Sequence, residues 1–432
     1  MANYGLLSAS AKYAAVARSF PLGNKILKGY LYGTDIPPGL GHGLPDVDFI
    51  PNITACVLTS VGTTAKVIWG RQDGSVTIVT HPRTMNENQA PSLVHMSSLS
   101  QEHEGAVLDG TWAANGEAFV TVGSDGRVKV WTVTPFRCAW TSERHSLGRE
   151  IDAISRVVED LGNGLVVAAS RSGDIIVLSG FDASFLGGAV DAPLLDVQKL
   201  CVPACTFPIT GAESTSAAKQ MGISALFLQV SAPTRLSILF HYLNASQFYR
   251  CSVDLLSKQV DVKTFGNAAF GTIRCIQPAF SNDPAVSSFI IAGTQLGIIC
   301  IYDWGATSQS GDLIPASRHV DVFPNAHATS LAMNAFVIIA GSSRGTIKVL
   351  DLLTLEILRS FSAPMNNDVR QIELAGEVLV ANVGSKVLAL SAGHFGSGGK
   401  DPVRPVNIKG KGKQGGHGKW YSEYVSDYCQ SN

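Results

Sequence analysis

The stretch Phe119-Val-Thr-Val-Gly-Ser-Asp-Gly-Arg-Val-Lys-Val-Trp131 decides the fold of this 432-residue chain. It predicts two short alternating strands joined by a tight turn at Asp125-Gly126. We expect that turn to be of type I′, because Asp-Gly supplies the positive φ angles that this type requires. After the turn, valines alternate with basic residues, which gives the strand one apolar and one solvated face. A single hairpin of this size cannot bury its apolar face alone, so other parts of the chain must cover it.

The same hairpin pattern recurs along the chain with a turn glycine at intervals of about 50 residues or a multiple of that period. The clear copies have their turn glycine at position 74, 126, 173, 297 or 345. A degenerate copy runs from Leu236 to Val253 with its turn near Asn244-Ala-Ser246, and a weak copy runs from Val378 to Leu390. Seven such units predict an all-β, seven-bladed β-propeller of four-stranded antiparallel blades, in which neighbouring blades cover one another's faces.

Composition agrees with an all-β chain that has many turns and much buried surface. Hydrophobic residues make up 45% of the chain and charged residues 16%, and there are 43 glycines. The formal net charge of −1 favours neither nucleic acid nor an acidic membrane as a partner. The uncharged stretch from Pro284 to Tyr302 is long enough to span a membrane, but Thr294-Gln-Leu-Gly297 interrupts it like a hairpin turn. We therefore interpret this stretch as two buried strands.

The propeller is expected to occupy residues 41–392, with a different segment at each end. Residues 1–40 form an N-terminal extension that contributes a short helix or a closing strand. Within the propeller, residues 187–220 have the composition of an insertion or long loop. Residues 393–432 are a glycine- and lysine-rich linker followed by an aromatic tail. Since no signal-peptide pattern opens the chain, we expect an intracellular protein, cytoplasmic or nuclear.

These units resemble the WD-repeat β-propellers, whose repeat begins with Gly-His and ends with Trp-Asp. Candidate starts are Gly41-His42, Glu102-His103, Arg144-His145 and Ala326-His327, and candidate ends include Trp131, Tyr302-Asp303 and Leu350-Asp351. The resemblance covers about residues 41–391. It implies that a His, a strand hydroxyl, the turn Asp and the Trp form a hydrogen-bonded structural set. His103, Asp125 and Trp131 match three of these positions, and Thr121 and Ser124 are the candidate hydroxyls.

No catalytic or phosphate-binding motif is present, so we expect neither enzyme activity nor a cofactor. Only two of the eight cysteines, Cys201 and Cys205, are close in sequence. Because a structural zinc site needs about four ligands and no second pair or His/Cys cluster accompanies them, we expect no metal site. Four other cysteines lie in apolar runs, where a reduced thiol behaves as a small hydrophobe: Cys56, Cys251, Cys275 and Cys300.

Basic residues accompany the turns between the second and third strands of several units. Those within three residues of a turn glycine are Arg71, Arg127, Arg171 and Arg344, and Lys386 has the equivalent position in the last unit. Since these turns gather on one face of a propeller, we expect the basic groups to converge there and bind carboxylates or phosphates of a protein partner. The alternative is that the arginines are solvated and keep strand edges soluble.

The propeller, the arginine-lined face and the basic tail are similar to F-box/WD-repeat proteins, which recruit substrates to ubiquitin ligases. Residues 1–40 contain no recognisable F-box. The hypothesis is a non-catalytic protein-interaction scaffold, in its sharpest form a substrate-recognition subunit that binds acidic or phosphorylated segments. The alternatives are a platform in a trafficking, RNA-related or chromatin-related complex and an enzyme that uses the central channel. A further alternative is a nucleic-acid or membrane role for the tail from Lys409 to Lys419.

Overall fold

The computed structural model describes residues 26–29, 53–61, 64–82, 93–182, 197–204, 222–232, 234–281, 283, 286–307, 313–362, 367–375, 378–383 and 386–391. Within these ranges the regular structure is antiparallel β-sheet, with short 3₁₀ turns at Leu161–Asn163 and Ala268–Phe270. None of the helical turns in this part of the chain is long and apolar enough to cross a bilayer.

The strands form separate sheets that follow one another along the chain, each with its strands in sequential order. The first sheet contains β1 (Ile26–Gly29), β2 (Ile53–Val61), β3 (Thr64–Arg71), β4 (Val76–Pro82) and β5 (Leu93–Met96). The second contains β6 (Val107–Trp112), β7 (Ala118–Gly123), β8 (Val128–Thr132) and β9 (Arg137–Thr141). A two-stranded hairpin follows, made of β10 (Ser146–Leu147) and β11 (Glu150–Ile151). The third sheet contains β12 (Ile154–Asp160), β13 (Leu165–Ser170), β14 (Ile175–Ser179) and β15 (Gln198–Val202).

Four further sheets complete the described structure. The fourth contains β16 (Ile223–Ala232), β17 (Arg235–Tyr242), β18 (Gln247–Asp254) and β19 (Val260–Gly266). The fifth contains β20 (Ile273–Ala279), β21 (Phe289–Thr294), β22 (Ile298–Asp303) and β23 (Arg318–Asp321). The sixth contains β24 (Ala328–Met333), β25 (Val337–Ser342), β26 (Thr346–Asp351) and β27 (Ile357–Ser362). The seventh has three described strands, β28 (Val369–Ala375), β29 (Val378–Val383) and β30 (Lys386–Ser391).

Neighbouring sheets pack through their first strands, and the hydrophobic core lies between the sheets. The valines of the opening hairpin, for example, pack with Val166, Ala168 and Ile176 of the third sheet. Polar bonds join the same strands, since Asp109 of β6 accepts the amide of Val157 in β12 at 3.0 Å. This succession of antiparallel sheets is a repeat β-propeller-like arrangement and confirms the all-β prediction.

The predicted turn glycines all have positive φ angles, which range from 71° at Gly126 to 97° at Gly173. The prediction of a type I′ turn is wrong, however, because Asp125 does not have a positive φ angle. The amide of Gly126 instead donates to Gly123 O at 3.2 Å, and the Asp125 carboxylate accepts the amide of Arg127 at 3.2 Å. The loop therefore has three residues and ends in a left-handed glycine, as in a G1 bulge.

The structure also confirms the degenerate hairpin from Leu236 to Val253 and the hairpin predicted in the uncharged stretch that ends at Tyr302. Asn244, with φ 63°, takes the place of the turn glycine between β17 and β18. The apolar stretch that ends at Tyr302 forms the paired strands β21 and β22, as predicted.

One predicted segment assignment needs correction. The predicted loop at residues 187–220 contains β15, because the chain returns there to pair with β14 as the outer strand of the third sheet. Within the N-terminal extension expected at residues 1–40, β1 pairs with β2 of the first sheet, and the other residues of that extension lie outside the described residues. The described residues do not include the C-terminal segment 393–432.

Candidate functional site

A buried hydrogen-bonded set joins the loop before the second sheet to its central hairpin. The ring of His103 donates through Nδ1 to Asp125 Oδ1 at 3.0 Å, since a carboxylate can only accept. Its Nε2 therefore accepts from Thr121 Oγ1 at 2.9 Å, and Thr121 Oγ1 accepts in turn from Trp131 Nε1 at 2.8 Å. The hydroxyl group of the set therefore belongs to Thr121 and not to Ser124. The interior position of Thr121 in β7 explains this, because Ser124 already lies in the turn.

The electrostatics of this set favour a structural role. Burial lowers the pKa of His103 in spite of the neighbouring carboxylate, so the imidazole is neutral at pH 7. Burial opposes ionisation of Asp125, but the hydrogen bonds from His103 and from backbone amides hold its pKa below the ordinary value. Both side chains are almost fully buried, at 0% and 1% exposure. They stabilise the sheet and are not accessible to a substrate.

The predicted basic residues occupy equivalent turns of five sheets but differ in accessibility. Arg71 is only 7% exposed, whereas Arg171 and Arg344 are exposed. Arg127 is half-buried, and its Nη1 donates to Ser142 O at 3.1 Å. Lys386 begins β30, and its side chain is outside the described part of the structure. Arg71 is therefore a poor candidate for contact with a partner.

The hairpin β10–β11 lies directly over the turn at Gly126. The amide of His145 donates to Gly126 O at 2.7 Å. A Cβ at position 126 would lie 2.6 Å from His145 O and 3.2 Å from Ile151 Cγ2, so glycine allows the base of the hairpin to close over the turn. On the outer side, Leu147 and Ile151 are 60% and 50% exposed.

Several arginines lie in the hairpin or in the segments next to its base. Arg144 forms an ion pair with Glu104, and Arg127 Nη2 lies 4.0 Å from the same carboxylate. On the other side, the amide of Arg171 donates to Ala153 O at 2.7 Å, which places its turn beside the base of the hairpin. We call this region the hairpin surface and define it by Arg127, Arg144, Leu147, Arg149, Ile151 and Arg171.

Beneath the hairpin, the structure assembles a cluster that sequence reasoning missed. The ligand atoms of His145, Asp152 and Asp174 all lie within 4.8 Å of one another, and the three residues are buried. The spacing of these residues matches no metal-binding motif, and the usable signal was the pairing of Arg144-His145 at the start of a unit with an aspartate after its turn glycine.

Comparison with known proteins supports the fold and goes no further. No protein-family model matches the chain, and no curated protein matches it. The crystal structure of Saccharomyces cerevisiae Sqt1, a WD40 protein, is similar at a TM-score of 0.54 and 11% identity, covering 76% of this chain and 79% of that one. The computationally designed protein Ika8 gives a TM-score of 0.47 at 16% identity, covering 78% and 93%. At such low identity, the likeness to Sqt1 shows a common fold alone.

Proposed function

We propose that this chain is a non-catalytic protein-interaction scaffold and that the hairpin surface is where a protein partner binds. The observation that carries this proposal is the exposure of Leu147 and Ile151 on a hairpin that rests on a closely packed base. Burying one such side chain on binding contributes about 1.5–3 kcal/mol at most. The buried core of a protein interface is more apolar than the rest of the surface, and arginine is enriched at interfaces.

The charges of the hairpin surface indicate which kind of segment it binds. Arg127 and Arg144 share a single carboxylate, that of Glu104. Within the described ranges, no ion pair links Arg149 or Arg171 to a carboxylate of the chain. Guanidinium groups bind carboxylates in a bidentate manner, and complementary charge orients a partner as it approaches. The expected ligand is therefore a protein segment that combines acidic and apolar residues.

Comparative affinity purification tests this proposal. The test variant carries Leu147→Ser and Ile151→Ser. The control variant carries Leu256→Ser and Leu353→Ser, which change leucines that are at least as exposed as the test residues and lie in turns between third and fourth strands. Proteins that the wild type and the control retain should be lost from the test variant. If all three chains retain the same set, the hairpin surface is not the binding site.

The sharper hypothesis is a substrate-recognition subunit of a ubiquitin ligase that binds phosphorylated segments through the arginine-bearing turns. Its support is the exposure of Arg171 and Arg344 and the partial exposure of Arg127. A variant with Arg127→Glu and Arg344→Glu is expected to lose its partner while the circular dichroism spectrum stays unchanged. Unchanged capture by this variant would refute the role of the arginines. The absence of a ligase scaffold among the captured proteins would refute the ligase role.

We further infer that the seven sheets are blades of one closed ring in an intracellular protein. The support is that one strand of each sheet contacts its counterpart in the next sheet, in the order β2, β6, β12, β16, β20, β24 and β28, as successive blades of a propeller do. A closed ring has a smaller radius of gyration than an open arc of the same sheets, and small-angle scattering of the purified chain measures this difference. Neither a channel enzyme nor a nucleic-acid or membrane role has a specific observation in its favour.

A further inference from the structure

One buried imidazole nitrogen lies between two carboxylates without a hydrogen-bond partner. His145 Nε2 is 3.5 Å from Asp152 Oδ2 and 3.4 Å from Asp174 Oδ2, and both distances exceed the usual length of an N–H···O bond. His145 Nε2 itself is buried, and the His145 side chain is 9% exposed. An unsatisfied buried nitrogen is uncommon in native proteins and requires an explanation.

The two carboxylates are held in place from their outer sides. Asp152 Oδ1 accepts the amide of Ser172 at 3.2 Å, and Asp174 Oδ1 accepts the amide of Ala204 at 2.7 Å. The Ser172 hydroxyl also donates to Asp152 Oδ2, and the Oδ2 atom of each aspartate lies beside His145 Nε2. Metal-binding carboxylates are commonly oriented by hydrogen bonds of this kind. A neutral imidazole has one N–H, so it cannot satisfy both carboxylates, and buried carboxylates need a cation.

We propose that His145 Nε2, Asp152 Oδ2 and Asp174 Oδ2 form a binding site for a zinc ion. Zinc bonds to nitrogen and oxygen of about 2.0–2.2 Å place the donor atoms of a tetrahedral site about 3.3–3.6 Å apart. The distances from His145 to the two carboxylates agree with this spacing. The imidazole donor, and the thiol of Cys201 at 4.0 Å from Asp174 Oδ2, favour zinc over magnesium or calcium, which prefer oxygen ligands.

A zinc ion in this position would fasten the hairpin to the third sheet. His145 immediately precedes β10, Asp152 immediately follows β11, and Asp174 follows the turn that carries Arg171. The metal would thus join both ends of the hairpin to a neighbouring turn and fix the orientation of Leu147 and Ile151. The zinc proposal does not rest on the proposed function, because zinc binding is measured without any protein partner.

Zinc titration of the purified full-length chain tests the site. The chain is stripped with a chelator, and zinc is added in competition with a chromophoric chelator. The wild type should bind one zinc ion per chain, and excess magnesium should not displace it. The isosteric variants Asp152→Asn and Asp174→Asn, and the variant His145→Gln, should each weaken binding at least about tenfold. Circular dichroism of every variant establishes that the chain is folded.

The variant His327→Gln is the matched control, because His327 has the equivalent loop position before the sixth sheet and its Nδ1 donates to Gln295 O. It should bind zinc like the wild type. A folded wild-type chain that binds no zinc would overturn the proposal. Equal zinc affinity in the wild type and in folded Asp152→Asn and Asp174→Asn would overturn it as well.

Discussion

Replacing Thr121 with valine removes the central hydroxyl of the buried set in the second sheet. This hydroxyl donates to His103 Nε2 and accepts from Trp131 Nε1, and the Thr121 side chain is fully buried. Valine has nearly the same shape, so Thr121→Val changes the hydrogen bonding and leaves the packing of β7 in place. The variant Thr121→Ser is the opposite change, because it keeps the hydroxyl and deletes a methyl group.

The expected loss of stability follows from the groups that lose their hydrogen-bond partners. Thr121→Val leaves one buried N–H and one buried imidazole nitrogen unsatisfied, at about 1–3 kcal/mol each. The more apolar side chain offsets up to about 1 kcal/mol of this loss. We therefore expect Thr121→Val to lower the free energy of unfolding by about 1–6 kcal/mol. Thr121→Ser should cost only about 1 kcal/mol, as expected for one deleted methyl group.

Urea unfolding followed by circular dichroism measures both values. A double-mutant cycle with Trp131→Phe isolates the hydrogen bond, because that change removes the indole donor in advance. In the Trp131→Phe background, Thr121→Val should cost less than in the wild type, with a coupling energy of about 0.5–3 kcal/mol. A Thr121→Val loss no larger than that of Thr121→Ser, or a coupling energy near zero, would refute the reasoning.

Three other outcomes are expected. Gly126→Ala should lower the melting temperature more than Gly148→Ala. Both glycines have a positive φ angle, but only a Cβ at position 126 would meet backbone atoms, and this clash adds about 1–3 kcal/mol to the loss of stability. Burial lowers the pKa of His241 from 6.5 to about 4. As the pH falls from 6.5 to about 4, the unfolded chain therefore takes up a proton at His241 before the folded chain does. The free energy of unfolding should fall by up to about 3 kcal/mol over this change, and less steeply in His241→Gln. Burial raises the pKa of three thiols to about 12, those of Cys251, Cys275 and Cys300. A thiol-alkylating reagent at pH 8 should therefore leave them unmodified until the chain unfolds, as measured by mass spectrometry.

The repeated hairpin was predictable because its signals are local. Alternation of apolar and polar residues and a glycine at a left-handed position act within about ten residues, so they survive in the degenerate fourth sheet, where Asn244 replaces the glycine. The turn type was not predictable from Asp125-Gly126 alone. The bond from the amide of Arg127 to the Asp125 carboxylate, and the closing of the hairpin base over Gly126, favour the three-residue loop.

The sequence by itself determined that this chain is all-β, built from repeated hairpins, and it identified His103, Asp125 and Trp131. Only the tertiary structure decided that Thr121 completes their set, that Arg71 is buried while Arg171 is exposed, and that Asp152 and Asp174 meet at His145. The formation of a strand depends on residues that are adjacent in the sequence, so it can be predicted from the sequence. The position of a side chain in a loop depends instead on how adjacent sheets pack, and this packing brings together residues whose separation in sequence carries no signal.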